Sequence, residues 1–305
     1  MNTKMQSKGT ARTLGFVLAI GCLSFGSVST ANAQEVFEPH NRERGELSPG
    51  TSAPSQADLM RIIDTGSPGM LIGALEYGER VECHACVAPL QRNLLEAADS
   101  EVRRISAWWL RRRVFAIAAV MNQMKRVLAT DSDPTRRARA AMAIGEFLDP
   151  NGLQPLRDAA MTDAAGEVRE AAVRALGRLN HPGGNEIIGA ALADSEVEVR
   201  RAALDVVLTV NFFRESDALI GALADDDARI RMRAARIVGE MRVDAAVPVL
   251  TGLLESDSNV LVRQAAAWGL GRINGEDARA ALRTAQTVES ESQVLDAIEV
   301  ALRMR

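Results

Sequence analysis

Aromatic side chains are scarce in this 305-residue chain, at 4% against an apolar content of 47%. Strands want β-branched and aromatic residues, so a core filled mainly by alanine and leucine favours closely packed helices instead. Lysine is nearly absent: Lys4, Lys8 and Lys125 are the only ones, and arginine supplies the remaining positive charge. The formal net charge is −4 and there is no lysine-rich tract. The clusters Arg111-Arg112-Arg113 and Arg136-Arg137 therefore give poor support to nucleic-acid binding. Histidine is equally sparse. His40 falls in a polar stretch, His84 and His181 are far apart in sequence, and His181 lies in a His-Pro-Gly-Gly turn rather than in the setting of a general base. No GxSxG elbow, HExxH helix, Walker loop or GxGxxG strand–helix unit occurs. The expectation is a non-enzyme without a cofactor or metal. Asp225-Asp226-Asp227, the one acidic run that invites a cation, falls in an inter-helix turn where aspartate commonly caps.

Long apolar runs are missing as well, apart from Leu14 to Phe25. That run follows Lys4, Lys8 and Arg12 and precedes Ala31-Asn32-Ala33, the layout of a cleaved secretory signal over residues 1–33. It is too short to span a membrane comfortably. Export, to a periplasm, is the expectation. Cys22, after Ala19-Ile20-Gly21, loosely resembles a lipobox, but it sits inside the apolar run, which makes a lipid anchor the lesser alternative. Residues 34–56 mix charge, proline, glycine and serine without periodicity and read as a flexible linker. Helical signals follow. Ser67-Pro68 supplies an N-cap and a first-turn proline, so Ala57 to Asp64 and Pro68 to Tyr77 read as a helical cap within residues 57–80.

The remainder, residues 81–305, is periodic. Arg103, Arg137, Arg169, Arg200, Arg231 and Arg263 are separated by 34, 32, 31, 31 and 32 residues, and Asp131, Asp163, Asp194, Asp225 and Asp257 precede the last five by six. Such regularity marks a stack of one supersecondary unit. Within each unit an apolar residue precedes the arginine (Val168, Val199, Ile230, Val262), and small or apolar residues recur at helical spacing, as in Ala171, Ala172, Ala175 and Leu176. An alanine column (Ala140, Ala172, Ala203, Ala234, Ala266) permits close helix approach. Gly145, Gly177, Gly239 and Gly271 stand where a C-terminal glycine would end the helix, and Leu208 breaks that column. A second apolar helix precedes each aspartate, as in Ala245 to Glu255, giving a helix–turn–helix unit of about 31 residues.

The aspartate, the apolar–arginine pair, the alanine column and the first-helix prolines Pro89, Pro155 and Pro248 resemble HEAT repeats, particularly the short kind named after phycobilisome lyases. The resemblance covers about three quarters of the chain and implies an all-α, right-handed α-solenoid of about six to seven repeats. It also implies that the aspartate and arginine columns form a structural ladder between neighbouring repeats. In the last unit Glu289 and Leu295 replace the pair, as if the ladder ended there. The family's name invites bilin attachment, but fold does not supply function, and many non-enzymes share the repeat.

Two local features remain. Cys83-His84-Ala85-Cys86 precedes the leading helix of the first full repeat. In an oxidising compartment it reads as a structural disulfide, with a redox pair or a metal site completed by outside ligands as alternatives. Valine at position 87 excludes c-type haem attachment, which needs histidine there. The second feature is a row eleven residues after the aspartate column: Met142, Arg174, Asp205, Arg236 and Trp268, with Trp108 at the first-repeat equivalent. Arg201 lies beside it, four residues earlier in its turn. Tryptophan and arginine are the residues enriched at binding hot spots, so Trp108, Arg174, Arg201, Arg236 and Trp268 form the candidate protein-binding set. Trp109, one residue on, falls on the core side. The leading expectation is a protein-binding scaffold using its concave face, and the alternative is a redox or metal-associated component using Cys83 and Cys86.

Overall fold

The computed structural model describes residues 53–304. The signal-like segment with Cys22, and residues 34–52 of the linker with His40, lie outside the described residues; the last linker position, Gln56, already belongs to the first helix, which Ser55 caps. All regular structure among the described residues is helical, in sixteen α-helices. They pair as hairpins: α1 (Gln56–Thr65) with α2 (Pro68–Tyr77), then α3 (Val87–Glu96) with α4 (Ser100–Leu110), and α5 (Ile117–Thr130) with α6 (Pro134–Phe147). The series continues with α7 (Leu153–Thr162) and α8 (Gly166–Leu179), α9 (Asn185–Ala190) and α10 (Val197–Val207), and α11 (Ser216–Ala222) and α12 (Ala228–Glu240). It ends with α13 (Val247–Ser256) and α14 (Val260–Ile273), then α15 (Glu276–Val288) and α16 (Ser292–Arg303). No helix among the described residues is long and apolar enough to cross a membrane.

Turn chemistry starts each second helix. Asp133, Asp227 and Asn259 accept the backbone N–H two residues on, satisfying first-turn donors of α6, α12 and α14. Asp227 is thus a cap, and its neighbour Asp225 binds the Asp227 N–H. The stripe residues Val168, Val199, Ala140, Ala172, Ala203, Ala234 and Ala266 are fully buried. One core runs the length of the array and includes Trp109, whose indole donates to the Gly78 carbonyl at 3.3 Å.

The glycine column does something other than end helices. Gly145, Gly177, Gly239 and Gly271 lie inside α6, α8, α12 and α14. The left-handed residues come three positions later, at Leu148, Asn180, Arg242 and Asn274. A methyl group on Gly145 would sit 2.8 Å from the Ala175 Cα, and one on Gly239 would sit 2.6 Å from the Gly269 Cα. On Gly271 it would meet the Ala301 Cβ at 2.7 Å. These glycines are where one second helix touches the next, and any side chain would push the pair apart. Leu208 takes the glycine place after α10 and is exposed, and α10 and α12 make the sparsest contact of any consecutive second helices. There the left-handed position moves to Phe212.

Candidate functional site

The arginine column builds a continuous polar ladder. Arg137 grips Asp163 of the next repeat through Nε and Nη2, both at 2.8 Å. Arg169 holds Asp194, Arg200 holds Asp225 and Arg231 holds Asp257 by the same fork, with donor–acceptor distances of 2.6–3.0 Å. The third nitrogen, Nη1, donates to the carbonyl of the arginine's own-repeat aspartate. Each gripped aspartate also accepts the backbone N–H two residues on, at Ala165, Glu196, Asp227 and Asn259. One guanidinium therefore ties a turn to itself and to its neighbour, which suits a planar bidentate donor and would not suit lysine.

The ladder runs one rung further than Glu289 implied. Arg263 forks to the Glu289 carboxylate at 2.9 and 3.4 Å, and the series stops only at Leu295. Ladder side chains are largely shielded, with arginines 13–15% and carboxylates 4–12% exposed. The Arg169 fork holds the Asp194 carboxyl below the usual carboxylate range against the opposing effect of burial, and Arg231 and Arg263 do the same for Asp257 and Glu289. For Asp163 burial pulls upward, and the Arg137 fork with the Ala165 N–H outweighs it.

The first repeat departs from this scheme. Among the described residues Arg103 forms no fork, and Asp131 instead binds the Nε of Arg136 at 2.9 Å. A clasp on the other side of α4 takes over. Cys83 and Cys86 are joined by a disulfide and fully buried in the loop between α2 and α3. Gln56 donates to the Glu82 carbonyl, Arg112 pairs with Glu79 at 2.7 Å, and His84 stacks on Phe115 at 3.9 Å. Arg113 is buried, donates to the Gly78 and Glu79 carbonyls, and lies 3.6 Å over the Trp109 ring. The triple-arginine cluster is thus spent on fixed contacts, since Arg111 also donates to the Glu146 carbonyl. Nδ1 of His181 accepts the Gly183 N–H, a turn contact. Among the described residues no three histidine, cysteine, aspartate or glutamate side chains gather as a metal cluster.

On the second-helix face the row members differ. Arg236 and Met142 are exposed, while Trp108 and Trp268 are half-buried. Arg174 is engaged by Glu170 at 3.0 Å and by Asp205 at 3.2 Å, and Asp205 also binds Arg233 at 2.6 Å. Arg201 lies 3.4 Å from Glu198. Sequence reading missed the tryptophans' partners. Arg112 lies 4.0 Å over Trp108, and Trp268 is flanked by Arg236 at 5.8 Å and Arg272 at 5.7 Å. The signal was available, because Trp268 and Arg272 are four apart on α14, and Trp108 and Arg112 have the same spacing across the end of α4.

Stacked helix hairpins joined by a side-chain ladder define an α-solenoid. The family model described as HEAT repeats matches residues 87–173, 121–208 and 216–303, and the chain belongs to the HEAT-repeat family. Solved structures of similar fold include YibA of Escherichia coli, at 16% identity and a TM-score of 0.51 over 83% of this chain and 93% of that one. Kap95p, in a structure with RanGDP, aligns at 14% identity and a TM-score of 0.55 over 82% of this chain and 41% of its own. The CpcE–CpcF phycocyanin lyase complex of Nostoc sp. aligns at 17% identity and a TM-score of 0.34, over 83% of this chain and 98% of that one. At these identities the likeness to YibA and Kap95p speaks to fold alone. No curated protein matches the sequence.

Proposed function

We propose that this chain is an exported, non-enzymatic scaffold that captures another protein on the face of its second helices. Second helices approach one another more closely than first helices do, which supports reading them as the inner side of the stack. The observation that carries the reading is the pairing of tryptophan with arginine at both ends of that face, Trp108 under Arg112 and Trp268 between Arg236 and Arg272. Each pairing joins a half-buried indole to guanidinium groups, the two residue types enriched at hot spots. Arg236 is the most available anchor, since it forms no ion pair among the described residues and is exposed. Arg174 instead organises the face through Glu170 and Asp205.

A photo-crosslinking residue at position 236 tests this. It should capture a partner in the cell envelope, and the same residue at exposed position 158 on α7 should not. Capture from position 236 should fall when Trp268 is changed to alanine. Equal capture from both positions would remove this face. Export rests on residues 1–33 and is checked by the mass of the N-terminus in fractionated cells.

For Cys83 and Cys86 the burial of both sulfurs favours a staple over a redox pair, because exchange requires an accessible thiolate. A pair reduced readily by glutathione in the folded protein would reinstate the redox alternative.

A further inference from the structure

Arg103 stands in the ladder position of the first repeat and takes the ladder pose. Its Nη1 donates to the carbonyls of Ala97 at 2.6 Å and Ala98 at 2.8 Å, six and five residues back. Arg137, Arg169, Arg200 and Arg231 use the same two carbonyl positions. In those four the remaining Nε–Nη2 edge closes on a carboxylate of the next repeat. At Arg103 no carboxylate of the described chain meets that edge.

The cause is local. Asp131, the next member of the acidic column, is held by Arg136 and by the Asp133 N–H of its own turn. A second cation comes in its place: Arg139 of α6 donates to the Leu95 carbonyl at 2.6 Å, at the same end of α3. The two guanidinium groups are thus anchored side by side on carbonyls at the C-terminal end of a helix, which attracts cations, and neither forms an ion pair among the described residues. Burial first and the Arg139 charge second lower the proton affinity of Arg103, and Asp99 is the one acid acting the other way. Both side chains remain partly open to solvent, so a ligand has access.

We propose that Arg103 and Arg139 form an oxyanion site that takes a carboxylate from outside the chain and so completes the rung that the first repeat leaves open. Geometry selects the chemistry, since the free edge of Arg103 is the bidentate fork that binds Asp163, Asp194, Asp225 and Asp257 elsewhere in the same molecule. The carboxylate has two sources, an acidic side chain of a protein partner or a small free acid. The first deepens the scaffold reading and rests on it.

The test titrates the full chain while following the arginine Nε–H resonances. The probes are a capped tetra-aspartate peptide, its tetra-asparagine counterpart, and succinate. The Arg103 and Arg139 signals should move saturably with the two acids and stay still with the asparagine peptide. Arg169 and Arg231, already occupied, serve as internal controls and should not move. Arg139→Gln, which leaves the Arg103 pose intact, should weaken binding about tenfold. Tighter binding of the peptide than of succinate assigns the site to a protein partner, and the reverse order assigns it to a small acid. Signals that do not saturate, that move equally at the ladder arginines, or that respond alike in Arg139→Gln would overturn the site. A failed titration leaves crosslinking at position 236 untouched, so the two readings fail separately.

Discussion

The junctions between second helices fall into three kinds, and comparing them separates two devices that elsewhere act together. From α6 to α8 and α8 to α10, and again from α12 to α14 and α14 to α16, a glycine permits close helix contact and an arginine fork joins the turns. Between α10 and α12 the fork remains, as Arg200–Asp225, but Leu208 replaces the glycine, and the helices make only sparse contact. Between α4 and α6 neither device is present among the described residues: Arg111 occupies the glycine place, Arg103 has no carboxylate, and the contact is again sparse. The glycine therefore governs how closely two second helices approach, whatever the ladder does. The ladder governs the polar bookkeeping and register of the turns.

The largest expected effect removes a fork. Arg169→Gln leaves Asp194 largely buried without its counter-charge, at a cost of about 3 kcal/mol. Arg103→Gln strands no carboxylate and should cost under about 1 kcal/mol. Urea denaturation followed by circular dichroism measures both. Equal losses would mean that the ladder is worth no more than ordinary hydrogen bonds.

Next comes the clasp. Replacing Cys83 and Cys86 together by alanine opens a loop of very short span, with an expected loss of about 2 kcal/mol. The loss should be local. Hydrogen exchange should quicken in α1, which the loop holds through Gln56 and the Glu82 carbonyl, and in α2, which leads directly into the loop, and stay unchanged from α6 onward. Loss of protection throughout would show that the first junction transmits strain that its sparse contacts argue against.

Glycine substitutions isolate the contact term. Alanine at Gly239 gains helix propensity of about 1 kcal/mol, but its methyl group meets the Gly269 backbone, and overpacking costs about 1–3 kcal/mol. The net expectation is a loss of about 1 kcal/mol by those two magnitudes. Gly252, inside α13 with open space around it, is the control, and alanine there should stabilise by about 0.5–1 kcal/mol. A gain at both positions in thermal melts would refute the close-contact role.

How much of this was legible in sequence follows from which signals are local. The apolar stripe and the aspartate–arginine spacing repeat every turn of the stack, so hairpin number and core were readable from Val168, Ala172 and their equivalents. The glycine column was misread because a glycine near a helix end fits a cap equally well. Deciding between cap and contact needs the neighbouring helix, although Asn180 and Asn274 marked the left-handed positions three residues on. Leu148 and Arg242 in that conformation carry no such signal. The open rung was hidden for a related reason. Arg103 keeps the column, and only the spacing of 34 residues to Arg137 hints that α5 and its turn are built differently. The second-helix face was readable as a row, but its internal ion pairs depend on distances between repeats that spacing alone cannot supply.

The smallest effect is the pH dependence, and it draws the same line between ladder and clasp. Asp194, Asp257 and Glu289 are held below the usual carboxylate range by the fork arginines. Their contribution is therefore fully present above the unfolded carboxylate pKa of about 4 and is lost as pH falls through the lower folded values. Each rung adds modestly, because burial of the carboxylate opposes part of what the fork contributes. Apart from the Arg112–Glu79 pair and the His84–Phe115 stack, the clasp rests on backbone carbonyls and a disulfide, which do not titrate in that window. On acidification, amide protection should therefore fall first in the ladder turns around Asp194, Asp257 and Glu289, while α2 and α4 hold. The double variant Arg169→Gln/Asp194→Asn should flatten the response at its own rung and leave the others steep. Simultaneous loss at the ladder and at α2–α4 would mean that acid acts on something the two regions share, and the division between them would have to be abandoned.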